Sequence, residues 1–203
     1  MRGRRRAYVL AVFVLVGLAV GLTAAWAGRP GFSSTPTSDL NVVGTSGSQT
    51  VLTSSVSSSS TVTGVGILAV FSGTRFGAQD EVVITADVSF LVACVNGSGR
   101  IVAADIKKGP AGDVSGTLVI TDSVARRNGI VTNGVVFSNV IPWPVTGFDL
   151  PSLTCPKGQT ETVIGIEFST ITVTLFGTSG SVESALASPS TQTFIDPFYK
   201  LNG

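Results

Sequence analysis

From Val62 onward the chain alternates apolar and polar residues with a period of two. In Val82–Val95, the residues Val82, Ile84, Ala86, Val88, Phe90, Val92 and Cys94 fall on one side, with Thr85, Asp87 and Ser89 opposite. Successive side chains of an extended chain point to opposite faces, so this pattern predicts a half-buried β-strand. Val62–Phe71, an apolar run broken by Gly64 and Gly66, predicts another. Asn96-Gly97-Ser98-Gly99 has turn chemistry, and Arg100–Ile106 is expected to return as the hairpin partner of the strand before it. Lys107-Lys108-Gly109-Pro110-Ala111-Gly112-Asp113 is expected to turn the chain again. Val114–Thr121 follows with Val114, Leu118 and Ile120 on one side. The next turn is Arg126-Arg127-Asn128-Gly129, leading into Ile130–Ile141, where Val131, Val135, Phe137 and Ile141 share a face.

The last strong strand, Thr162–Phe176, changes phase. Ile164, Ile166 and Phe168 sit on one parity, and Ile171, Val173 and Leu175 on the other. A one-residue slip around Ser169-Thr170 is what a β-bulge or a bend between two sheets produces. No stretch after residue 27 has apolar residues at helical spacing, and Gly, Ser, Thr and Val dominate. Short strands punctuated by Gly, Asn and Pro predict an all-β domain, an antiparallel β-sandwich or small barrel, over 62–176. Residues 177–203 read as a C-terminal tail, in which Phe194-Ile195-Asp196-Pro197-Phe198-Tyr199 is a segment able to dock back on the domain.

Ahead of the domain lie two segments of different texture. Arg2, Arg4, Arg5 and Arg6 precede the uncharged apolar run Ala7–Leu22, and Ala25 and Ala27 fit the small-x-small rule of signal peptidase. At about 1.5 Å per residue, Ala7–Ala27 is also long enough to cross a hydrocarbon core of about 30 Å. Residues 1–27 are therefore an apolar helix serving as a cleaved signal peptide or a retained membrane anchor, and both readings export the body. More than half of the residues from Ser33 to Thr61 are Ser or Thr. Such a composition buries little apolar surface, so 28–61 is expected to be a disordered linker, with Val42-Val43 and Val51-Leu52 able to add a weak strand.

Composition mainly removes possibilities. There is no histidine, which excludes a Ser-His-Asp triad, a Cys-His dyad and an imidazole-based zinc site. Residues 28–203 carry nine Lys/Arg and twelve Asp/Glu, a net charge of −3. A mildly acidic body with scattered charges lacks the basic stripe that nucleic acid requires. In an exported chain whose only cysteines are Cys94 and Cys155, a structural disulfide between them is the expectation. It would place their Cα atoms about 4.4–6.8 Å apart.

Ala93-Cys94-Val95-Asn96-Gly97, then Arg127-Asn128-Gly129, then Cys155-Pro156-Lys157-Gly158-Gln159 form a succession of turns ahead of a final Thr/Val-rich strand. In this succession the chain resembles small exported bacterial β-proteins with a single cysteine pair, over about Thr61–Phe176. The resemblance implies a fold and a disulfide. It brings no catalytic residues with it, since those proteins are functionally uncharacterised.

Candidate chemistry is sparse. Asp87 and Glu167 lie on the polar faces of predicted strands and would be neighbours if those strands pair, as a two-carboxylate glycoside hydrolase needs. Asp80, Glu81, Asp113 and Asp122 lie near turns, but no Asp-x-Asp-x-Asp-Gly calcium loop is present. Trp143, between Pro142 and Pro144, and nearby Phe148 stand in the one unusual loop. A rigid indole there either stacks on a sugar ring or caps the core. Asn96-Gly97-Ser98 matches an N-glycosylation sequon and is equally a hairpin turn. The reading is a non-enzymatic, exported or envelope-anchored domain with a structural, adhesive or binding role and no cofactor. Its expected partner is a cell-wall glycan or another envelope protein, with membrane contact only through the N-terminal segment. The alternatives are a carbohydrate-binding module using an exposed Trp143, and then a carboxylate hydrolase.

Overall fold

The computed structural model describes residues 29–44, 61–102, 106–146 and 152–202. The expected N-terminal helix and the stretch 45–60 of the Ser/Thr-rich linker lie outside the described residues. The body is built from two mainly antiparallel sheets that enclose one apolar core without closing into a barrel. Among the described residues no helix is long and apolar enough to cross a membrane.

The first sheet is centred on β3 (Val62–Thr74), which buries Val65, Ile67, Ala69 and Phe71 on its inner face. Along one side of β3 run β1 (Gly31–Phe32) and β2 (Thr37–Gly44), and along the other β7 (Val131–Phe137) and β8 (Ile141–Pro142). The second sheet is built on two long strands, β4 (Glu81–Asn96) and β9 (Gln159–Phe176), paired from Glu81↔Phe176 to Asn96↔Gln159. Strand β6 (Lys107–Val119) flanks β4, while β10 (Val182–Leu186) and β11 (Gln192–Ile195) lie in tandem along β9.

Several expectations are corrected by this pairing. The segment 37–44, read as linker with Val42-Val43 able to add a weak strand, is a full strand of the first sheet, because Leu40 and Val42 project into the core. Residues 182–202, read as a tail in which Phe194–Tyr199 could dock back, do so through Phe194 and also supply β10, β11 and β12 (Lys200–Asn202). Among the described residues, the expected hairpin of Arg100–Ile106 with β4 is not formed. Its strand portion, β5 (Arg100–Val102), pairs in parallel with β12, and β4 takes β6 as its neighbour instead. Lys107–Asp113, read as a turn, is the first half of β6. Its Lys and Pro residues suit an edge strand, and a register shift at Val88/Ser89 accommodates Gly112 at φ 111°. In Ile130–Ile141 the most buried residue is Val136, whereas Phe137 is exposed. An irregularity opposite Phe71/Gly73, with Asn133 at φ 54°, breaks the expected parity. Between β6 and β7 lies the five-residue helix α1 (Asp122–Arg126), too short to show apolar periodicity.

The phase slip in β9 is where the sequence places it. Thr85 faces Thr172 while Asp87 faces Ser169, and Thr170 bulges out at φ 54°. Ile166 and Phe168 before the bulge, and Ile171, Val173 and Leu175 after it, thus all reach the same core. A second irregularity, between Leu91 and Val92, sends Ile164 to the opposite face from Ile166. There Ile164 joins Leu91, Ala93, Val95 and Ile101 in a smaller core, covered in part by Ile195 and Tyr199 of the C-terminal segment.

The two sheets approach at both seams. Asn139 N–H donates to Ser115 O at 2.8 Å between β7–β8 and β6, and Gln192 Nε2 donates to Ser38 O at 2.8 Å between β11 and β2. Gly116 is required at the first seam, since a Cβ there would stand 1.7 Å from Phe137 O.

Buried Asp80, 2% exposed, fastens two connections. Its Oδ2 accepts Gly77 N–H at 2.7 Å, and its Oδ1 accepts Thr178 N–H at 2.8 Å and the Thr178 hydroxyl at 3.2 Å. Asp80 thus closes the β3–β4 loop onto the β9–β10 turn. Asp80→Ala removes the acceptor of these three hydrogen bonds, whose half-buried and exposed donors water can partly re-satisfy, and is expected to lower unfolding free energy by about 1–2 kcal/mol in urea titration. A shift within error would show that the donors find other partners.

Candidate functional site

Cys94 lies near the end of β4 and Cys155 in the segment leading to β9. They are joined in a disulfide with Cα atoms 5.4 Å apart. The bond holds the 152–158 segment against the end of the β4–β9 pair. On that segment Leu153 N–H donates to Glu161 Oε2 at 3.1 Å.

The Trp143 loop is attached to the body by its own backbone. Trp143 N–H donates to Thr63 O at 3.0 Å, and the Trp143–Pro144 peptide is cis. The indole is 7% exposed and belongs to the main core. Phe194 of β11 meets it edge-on, with ring centroids 5.2 Å apart. Trp143 Nε1–H donates to Asp196 Oδ2 at 2.7 Å. The core-capping role is therefore the one observed, and an exposed indole face for sugar stacking is not. Phe148, the other residue singled out in this loop, lies outside the described residues.

Asp196 is the hinge-pin of this end. While one carboxylate oxygen takes the indole N–H, the other accepts Phe198 N–H at 2.9 Å, and the Asp196 carbonyl accepts Tyr199 N–H at 2.9 Å. The turn so formed pushes the Phe198 ring outward, leaving it 67% exposed and edge-on to Tyr199. Trp143, Pro144, Asp196, Pro197 and Phe198 line a concavity of about 310 Å³. The anchored indole, the largely exposed Phe198 ring and one carboxylate are brought together there. The sequence does not mark Asp196 and Phe198 as site residues, because they stand in a segment that reads as tail. The cluster Phe194–Tyr199 was the one available signal.

Tyr199 beneath Phe198 has its phenol pKa raised, by burial first and by the Asp196 carboxylate second. A raised phenol favours the neutral form in the folded chain, so its contribution is complete below the ordinary phenol range and is lost as pH rises through the folded value. Stability is expected to fall more steeply in alkali for the parent than for Tyr199→Phe, as thermal melts across that range will show. Identical alkaline slopes would remove the assignment.

The proposed carboxylate pair is only partly assembled. Strands β4 and β9 do pair, but Glu167 stands opposite Ser89, and Lys108 Nζ holds it at 2.6 Å. The carboxylate directly opposite Asp87 is Asp113 of β6. Both line a depression of about 410 Å³ on the outer sheet face, with Thr85, Ser115, Thr170 and Thr172. Among the described residues no group of three or more Cys, Asp or Glu is placed to hold a metal ion. The sequon residue Asn96 sits in a tight turn, with Gly99 N–H donating to Asn96 O at 2.9 Å.

Compared with protein-family models, curated proteins and solved structures, the chain matches none.

Proposed function

We propose that this chain is an exported or envelope-anchored, non-enzymatic β-domain whose structural or adhesive role is exercised by binding at the Trp143–Phe198 end. The observation that carries the reading is Phe198, a large ring 67% exposed beside a carboxylate whose orientation is fixed by the indole N–H. A contact residue held on a rigid floor binds with little ordering cost, and aromatic anchors dominate recognition surfaces. The Cys94–Cys155 disulfide supports an oxidising compartment and thus export. The apolar run 7–22 behind four arginines supplies the route. Cell-wall glycan or another envelope protein is the partner.

Within this reading a carbohydrate ligand is favoured by one arrangement: a free ring face for a sugar to stack on, next to an acceptor for its hydroxyls. Phe198 takes the stacking role that an exposed Trp143 would have had. The carboxylate-hydrolase alternative has less support, because Glu167 is engaged by Lys108. A glycan array and sedimentation with purified cell-wall polysaccharide test the proposal. Phe198→Ala is expected to weaken binding about tenfold or more while leaving the unfolding midpoint in place. Binding that is indifferent to Phe198→Ala would move the site elsewhere.

A further inference from the structure

We infer that Asn96 is a self-modifying site: in the folded protein its side-chain amide is expelled as ammonia, leaving a succinimide that hydrolyses to aspartate and isoaspartate. The chemistry needs an electrophilic amide carbon, stabilisation of the oxygen as charge develops on it, and an unobstructed backbone nitrogen one residue on. The β4–β5 turn supplies all three. Asn96 Oδ1 accepts Ser98 N–H at 3.0 Å, Ser98 Oγ–H at 2.8 Å and Arg100 N–H at 3.0 Å. Three donors converging on one carbonyl oxygen form an oxyanion hole, within the range where such donors act. Gly97 is exposed, and a Cβ added to it would meet nothing within 4 Å.

The step balances without any external reductant or oxidant. Gly97 N–H gives its proton to solvent base, and the nitrogen bonds to Asn96 Cγ. The negative charge on Oδ1 is held by the three donors until the intermediate collapses. The Cγ–Nδ2 bond then breaks, and ammonia leaves with a proton from water. A second water opens the five-membered ring at either carbonyl, giving aspartate or isoaspartate. The isoaspartate product places an extra carbon in the backbone of the turn that feeds β5, the strand on which β12 is paired.

The fold makes the site selective. Two other Asn-Gly pairs lie wholly among the described residues, Asn128-Gly129 and Asn133-Gly134. Gly129 N–H is committed to Val124 O at 3.1 Å, and a Cβ on Gly129 would lie 2.3 Å from Phe76 O. Gly134 sits in the β3–β7 ladder opposite Phe71, whose ring approaches to 2.7 Å of the position a Cβ would take. The Gly129 amide is held by its hydrogen bond and Gly134 by its crowded Cα, so both segments are held more tightly than the open turn at Gly97.

The test is ageing of the full-length protein at mildly alkaline pH with peptide mass spectrometry. The amide-to-acid mass gain is followed at the three asparagines, for the parent and Ser98→Ala, each folded and in urea with the disulfide intact. Conversion at Asn96 with Asn128 and Asn133 unchanged is expected in the folded parent, and three similar rates in urea. Ser98→Ala is expected to slow folded Asn96 about three- to tenfold, less than a buried oxyanion donor is worth because the turn is wet. In urea the variant should match the parent. Folded Asn96 reacting no faster than Asn128 or Asn133 would overturn the inference. So would a folded Ser98→Ala rate equal to the parent's.

Discussion

Replacing Cys94 and Cys155 together by serine is expected to lower the unfolding free energy by about 4 kcal/mol, from the closure entropy of a 61-residue loop. The loss is large beside a total stability of about 5–15 kcal/mol for a single domain. It acts mostly through the unfolded chain, since β4 and β9 are already paired next to the bond, from Glu81↔Phe176 to Asn96↔Gln159. The native sheet should therefore survive in the double serine variant, with an unchanged far-ultraviolet spectrum and a lowered denaturant midpoint. The local consequence is at 152–158, where the Leu153–Glu161 hydrogen bond remains as a tether. Limited proteolysis should cut there first once the bond is gone. Equal midpoints for parent and double variant would show that the staple adds nothing.

Trp143→Ala is the other substitution with a large expected cost, about 3–5 kcal/mol for emptying a buried aromatic site. The indole fills the end of the main core against Phe194, and its removal also leaves Asp196 without the donor that orients it. Trp143→Phe separates the two contributions. It keeps a buried ring, though a smaller one than the indole, and gives up the hydrogen bond to the Asp196 carboxylate, which is worth about 1.5–3 kcal/mol. Unfolding followed by circular dichroism should rank the parent above Trp143→Phe, and Trp143→Phe well above Trp143→Ala. A Trp143→Ala loss under about 1 kcal/mol is what an exposed, substitutable side chain would give.

What could be read in advance was whatever the chain specifies locally. Val82–Val95 announces β4 because one face is buried along its length, and Ser169-Thr170 announces the bulge because apolar parity changes within one strand. Features set by distant partners were hidden. Leu91, Ala93 and Val95 are buried on the face opposite Phe90 and Val92 because residues near Ile195 and Tyr199 cover them. Ser38, Leu40 and Val42 do alternate, but a Ser/Thr-rich surround disguises so short a strand. Pro110 and the flanking glycines read as a turn, yet an edge strand tolerates them where a central one would not. At the candidate site, two prolines drew attention to Trp143. Whether its indole faced water depended on Phe194 and Asp196, more than fifty residues further along.

The parallel pairing of β12 with β5 has a kinetic meaning. Lys200 aligns with Arg100, so closing the smaller core awaits a partner that emerges from the ribosome half a chain later. Contacts of such high sequence separation are slow to form, because the loop entropy is spent before they return anything. Until residues 192–202 have been synthesised, Leu91, Ala93 and Ile101 stay open to solvent and the long β4–β9 pair lacks its lateral cover. Docking of residues 192–202 is thus expected to be a late step of folding, following the pairing of β4 with β9.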